Sequence, residues 1–269
     1  MLTTVLLYLV LGAFSGLLAG LFGVGGGAII VPVLIYAFSR QGMPPEVLSH
    51  MAVGTSLAVI CLTSISSVRT HHRNGFVLWN SFKLMAPALI VGVLVGVYTV
   101  VQIPGWMLQW IIGSYLCLVA LQMGFQLMPS AHMDTRLGAG RLTVAGGVIG
   151  WASAIFGIGG GSLTVPFLSY HGIRMQNAVA TAAACGFPIA VAGALANIVA
   201  GWSVPDLPAS TLGYVYLPAF LGIALMSLPF ARLGANLAKN LPAAMLRRFF
   251  AVFLAIIGAS LILRAGGYY

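Results

Sequence analysis

Residues Gly23-Val24-Gly25-Gly26-Gly27-Ala28-Ile29-Ile30-Val31-Pro32-Val33-Leu34 return 134 residues later as Gly157-Ile158-Gly159-Gly160-Gly161-Ser162-Leu163-Thr164-Val165-Pro166-Phe167-Leu168. The shared pattern is G-[VI]-G-G-G-x-[IL]-x-V-P-[VF]-L. A repeat half the chain long marks a duplicated unit rather than a solenoid of short repeats. Weaker matches follow each copy. Ala52-Val53-Gly54-Thr55-Ser56 aligns with Ala178-Val179-Ala180-Thr181-Ala182, Gly75 with Gly201, Pro87 with Pro218 and Pro104 with Pro242. The changing offset implies small insertions. Ala180 and Ala182 stand where the first copy has Gly54 and Ser56, so the halves need not contribute equally to a shared site.

The flanks of both motifs are apolar. The chain has 269 residues, 60% of them hydrophobic and 6% charged, with a net charge of +9. A soluble domain carries about 25% charged residues. This chain cannot cover a water-facing surface, which makes it a polytopic membrane protein. Its Lys and Arg lie beside apolar spans, the pattern that orients membrane proteins. No basic tail or aromatic-basic interleaving points to nucleic acid. Cys61, Cys117 and Cys185 sit singly in apolar segments and read as packing residues. No cofactor or metal signature is present.

A crossing helix needs about 20 apolar residues. Six segments qualify directly: about 47–68, 84–101, 105–128, 176–200, 211–231 and 245–263. Residues 1–39 and 142–173 lack Asp, Glu, Lys and Arg entirely. They are too long, because straight helices there would run about 58 and 48 Å. Each carries its glycine run in its interior. No basic region precedes the first span, which is therefore expected to be retained rather than cleaved.

Loop charges decide between one crossing and a hairpin. With single crossings the cations divide six against six. With hairpins bent at the glycines, Arg69, Arg73, Lys83, Arg136, Arg141, Arg174, Arg232, Lys239, Arg247 and Arg248 share one side, leaving only Arg40 and Arg264 opposite. The rule that cations collect on the cytoplasmic side favours hairpins. The expected plan is all-α, with two inverted-topology repeats. Residues 1–128 hold hairpin 2–38 and three spans, 129–141 form a cytoplasmic linker, and 142–269 hold hairpin 142–171 and three spans. Both termini lie outside a plasma membrane. Secondary transporters are commonly built this way.

Irregular backbone survives at membrane depth only where protein buries it or where it lines a wet cavity. Three consecutive glycines exceed what close helix packing requires. They suit a broken helix whose first-turn amides lack partners and carry partial positive charge. The expected anion site comprises Gly23, Gly25, Gly26, Gly27 and Ala28 of the first turn, with Gly157, Gly159, Gly160, Gly161 and Ser162 of the second. Thr55, Ser56, Thr181 and Asn197, polar residues within neighbouring spans, complete the expected site. Pro32 and Pro166 either open the half-helices or kink them. His50 reads as a boundary residue beside Glu46, with a proton relay as the alternative. His71 and His72 join Arg69 and Arg73 in an interfacial basic cluster, and His132 and His171 lie in or beside loops.

The three acids, Glu46, Asp134 and Asp206, fall at boundaries or loops. Proton-coupled carriers commonly use an intramembrane carboxylate, so the coupling ion stays open. Nothing supports an enzyme: Ser162 is not in a G-x-S-x-G elbow and no H-E-x-x-H exists.

The paired glycine motifs, the Ala52-Val53-Gly54-Thr55-Ser56-Leu57 stretch and Leu246-Arg247-Arg248-Phe249-Phe250-Ala251 resemble the TauE/SafE family over nearly the whole chain. The resemblance implies a bacterial or archaeal plasma-membrane permease for small sulfur-containing anions such as sulfite, sulfoacetate, other sulfonates or thiosulfate. It implies no cofactor. The expected partners are that anion and the lipid bilayer, with a homodimer compatible and nucleic acid excluded. A passive anion channel of the same fold is the alternative function.

Overall fold

The computed structural model describes residues 2–22, 27–125, 138–205, 207–238 and 243–267. Ten α-helices and one short strand pair make up these residues. The first half contains α1 (Leu2–Phe22), α2 (Gly27–Arg40), α3 (Pro45–Arg73), α4 (Trp79–Gln102) and α5 (Gly105–Gly124). The second contains α6 (Ala139–Phe156), α7 (Gly161–Tyr170), α8 (Met175–Gly201), the strands β1 (Thr211–Leu212) and β2 (Val215–Tyr216), α9 (Leu217–Ala238) and α10 (Ala243–Ala265). Seven of the helices are long and apolar enough to cross a membrane. The molecule is a multi-pass membrane protein.

Packing is inverted relative to a soluble fold, because lipid rather than water meets the outer surface. On α4, Val91, Val95 and Tyr98 are exposed, while Gly92 and Gly96 face α6. Small residues form the seams, since helices in lipid associate by close backbone approach. α3 is the innermost strut in the first half and buries every residue from Leu48 to Ile60.

The seams are reciprocal. Gly12 and Gly16 of α1 meet the backbone of Ile223 and Ser227 on α9. Gly146 and Gly150 of α6 meet the backbone of Met85 and Leu89 on α4. Gly146 lies 134 residues beyond Gly12, and Ile223 lies 138 beyond Met85. Each first helix thus packs on the fourth helix of the other half. Two hydroxyls repeat the exchange. The Tyr216 N–H donates to Thr55 Oγ1 at 3.0 Å, and the Leu78 N–H donates to Thr181 Oγ1 at 3.0 Å. The matched helices α3 and α8 run antiparallel, Gly54 lying beside Asn197 and Leu57 beside Gly193. α5 and α10 also run antiparallel, with Gly113 against Gly258 and Leu261 and Gly124 against Ala251.

Within each long apolar segment the chain doubles back. Gln41, just past α2, donates to the Tyr8 hydroxyl of α1 at 2.8 Å, and Tyr8 packs edge-on against Phe38. In the second segment Gly140, Arg141 and Val144 near the start of α6 share a groove with Phe167 and His171 near the end of α7.

Three expectations change. The span expected at 211–231 begins only at Leu217, because residues 211–216 form the strand pair, turning at Gly213 with φ +51. Leu212, Tyr214 and Val215 supply the hydropathy of a span, but Tyr214 and Val215 bury it against α3 and α8 instead. The last three residues of the expected linker 129–141 are the first turn of α6. Pro87 and Pro218 are not equivalent positions: Pro87 lies inside α4, Pro218 is the second residue of α9, and the reciprocal seams set the offset there at 138. Pro242 lies outside the described residues.

Candidate functional site

The second glycine turn is built from two left-handed residues. Gly157 caps α6 with φ +63, and Gly160 caps α7 with φ +72. Side chains disfavour this conformation by about 1–2 kcal/mol, and space is lacking as well. A β-carbon on Gly157 falls 2.6 Å from Val31 Cγ2, and one on Gly160 falls 2.5 Å from Ile189 Cδ1. The N–H groups of Leu163 and Thr164 bond back to the Gly160 carbonyl at 3.1 and 2.7 Å. Those are the first bonds of the half-helix, which leaves the Gly161 and Ser162 amides ahead of the ladder as first-turn donors.

Of the first turn, Gly23, Gly25 and Gly26 lie outside the described residues. Gly27 and Ala28 are buried. Gly27 sits directly against Ile158 Cα and the Gly157 carbonyl, with a β-carbon there 2.8 and 3.0 Å from them. The start of α2 and the second turn are therefore in contact inside the protein.

Ser56 belongs to this contact: its hydroxyl donates to the Gly157 carbonyl at 2.8 Å. Gly159 lies against Gly186 of α8. Ser162 is held from the first half, since its hydroxyl lies 2.8 Å from the Tyr115 hydroxyl of α5. The Tyr115 ring stacks on Phe156 with centroids 3.9 Å apart. Nothing in the spacing of the sequence distinguished Tyr115 from other span aromatics.

Thr55, Thr181 and Asn197 are fully buried but are brought elsewhere. Both threonines accept the backbone N–H groups described above, just ahead of α9 and α4. Asn197 packs beside Gly54 and donates to the Gly193 carbonyl at 2.8 Å, while its backbone carbonyl accepts the Tyr214 N–H. Pro32 and Pro166 stand inside their half-helices rather than at the first position. Each removes the N–H that would reach four residues back, to the carbonyls of Ala28 and Ser162.

His50 is buried against main chain. Its Nδ1 lies 3.1 Å from the Glu46 carbonyl, and its Nε2 lies 3.1 Å from the carbonyls of Val100 and Ile103. It ties α3 to the α4–α5 corner and stacks on Tyr214. Glu46 lies in the first turn of α3, and Asp134 and Asp206 are outside the described residues. Among the described residues no cluster of His, Cys, Asp and Glu has metal-binding geometry.

Two short half-helices beside a glycine turn in a multi-pass helical bundle are an arrangement found in the class of secondary transporters. Comparison narrows the class: residues 8–261 match the sulfite exporter TauE/SafE family, and the chain belongs to it. It is 35% identical over 264 residues to a probable membrane transporter protein of Haemophilus influenzae, covering 98% of this chain and 100% of that protein. A probable membrane transporter protein of Methanocaldococcus jannaschii is 27% identical over 264 residues, covering 96% of this chain and 95% of that one. YjnA of Bacillus subtilis, also a probable membrane transporter protein, is 26% identical over 273 residues, 94% and 98% of the two chains. No solved structure gives a significant match.

Proposed function

We propose that this protein is a secondary transporter that carries a small sulfur-containing oxyanion, such as sulfite or an organosulfonate, across the plasma membrane. The anion is held near the bilayer midplane by the two G-x-G-G-G turns. The single observation that carries this reading is the buried contact of Gly27 with Gly157 and Ile158. It sets the beginning of α2 against the turn that leads into α7. First-turn amides supply an anion with neutral donors and a favourable dipole, so no buried cation is required.

Two inverted repeats account for the reciprocal seams. A twofold axis in the membrane plane exchanges α1 with α6 and α4 with α9, and makes α3 antiparallel to α8. Such pairs rock against each other about a fixed midplane site in alternating access.

The test is countertransport in proteoliposomes loaded with sulfite. A carrier exchanges external labelled sulfite for internal anion and saturates, whereas an open pore does neither. Gly160→Val places bulk on Ile189 and strains a left-handed residue. It is expected to abolish exchange while the protein still reaches the membrane, and wild-type exchange in this variant would refute the role of the turn. Gly26→Val is expected to do the same in the first turn.

A further inference from the structure

Two hydroxyls at the second turn have no hydrogen-bond partner. Ser153 Oγ on α6 and Thr164 Oγ1 on α7 are both fully buried, and neither bonds to any protein atom. A buried hydroxyl without a partner costs free energy, and buried polar groups are nearly always satisfied. These two converge. Ser153 Oγ lies 3.4 Å and Thr164 Oγ1 3.6 Å from the position a β-carbon would take on Gly160. They come from the two arms of the corner and flank the residue ahead of the free first-turn amides of α7. Ile189 Cδ1 stands in the same space. Its side chain fills the position beside Gly160 and has to move before a ligand reaches the hydroxyls there.

The arrangement is one-sided. At the repeat offset of 134, Ser153 corresponds to Ala19 and Thr164 to Ile30. Neither residue of the first half has a polar side chain.

Resting on the transport reading above, we propose that Ser153 and Thr164 are substrate-binding residues, and that the second turn alone supplies side-chain ligands to a singly charged oxyanion. The donors there are amides and hydroxyls, all neutral. Desolvation cost rises with the square of the charge, so a site without a cation favours a monoanion over a dianion. Hydroxyls both donate and accept, which suits an oxyanion that keeps a proton, of the hydrogensulfite kind, as well as a sulfonate monoanion.

Thermal shift of the purified protein in detergent tests this with hydrogensulfite, methanesulfonate and sulfate as probes. The wild type is expected to be stabilised by hydrogensulfite and methanesulfonate at lower concentration than by sulfate. Ser153→Ala and Thr164→Val are each expected to raise the apparent Kd about tenfold or more, the loss of one hydrogen bond to a charged group. Thr164→Ser is expected to restore affinity. Without anion, Thr164→Val is expected to melt no lower than wild type, because it removes an unpaired buried hydroxyl. A merely structural hydroxyl predicts the opposite sign. Unchanged affinity in the Ser153→Ala/Thr164→Val double variant, a lower melting point of Thr164→Val without anion, or sulfate binding as tightly as the monoanions each overturns the assignment. The first of these leaves the transport reading intact, whereas a wild type that no anion stabilises removes both.

Discussion

At the scale of single residues, Ser56 and Gly157 make one of the joins between the halves. The Ser56 hydroxyl donates to a carbonyl at a left-handed glycine, in a place where water does not reach. Ser56→Ala leaves that carbonyl without this donor, at a cost of about 1–3 kcal/mol. The expected outcome is a lower thermal-unfolding midpoint in detergent, measured against wild type in the same buffer. Ala182 at the matching position shows that the smaller side chain fits a repeat of this kind, so the loss is expected from the bond rather than from a clash. The second glycine corner was legible in the sequence because left-handed backbone and atomic contact at Gly157 and Gly160 leave glycine as the residue that fits. Ser153 and Thr164 were not. Matching the two copies singles out polar residues that recur, such as Thr55 and Thr181, and those turn out to hold loop backbone. The unpaired hydroxyls stand opposite Ala19 and Ile30, where repetition is silent.

At the scale of elements, the two glycine seams carry the fold. Gly16 of α1 touches the backbone of Ser227, and Gly150 of α6 touches the backbone of Leu89. Leucine at either position has no free space to enter and forces two helices apart, with overpacking costs of about 1–3 kcal/mol or more. Gly16→Leu and Gly150→Leu are expected to lower the unfolding midpoint by similar amounts, since the seams are counterparts. Val10→Leu and Val148→Leu, on exposed faces 65% and 59% accessible, are expected to change it little. Unequal losses in the paired glycine variants would count against equivalent seams. Hydropathy alone located most of the helices, but it misjudged residues 211–216. A buried strand pair and the start of a span have the same apolar content, and only the contact of Tyr214 with Gly54 and of Gly213 with Ile198 on α8 separates them.

At the scale of the whole molecule, the proposed inverted repeat makes a testable claim about the direction of the chain. On the proposed plan each long apolar segment is a hairpin that adds no crossing, α6 being one of its arms, and the three spans left in each half bring the second half in from the opposite side. On that plan ten cations share the linker side against two on the other, and the charge rule predicts a cytoplasmic linker. Reporter fusions give the measurement. Alkaline phosphatase, active only outside the cytoplasm, is expected to be active when fused after Tyr269 and inactive when fused within residues 129–137. A fluorescent protein that matures only in the cytoplasm is expected to show the reverse pattern. Equal activity at the two sites would mean an even number of crossings in the second half. The halves would then enter from the same side, and the antiparallel pairing of α3 with α8 could not arise from one duplicated unit facing its inverted copy.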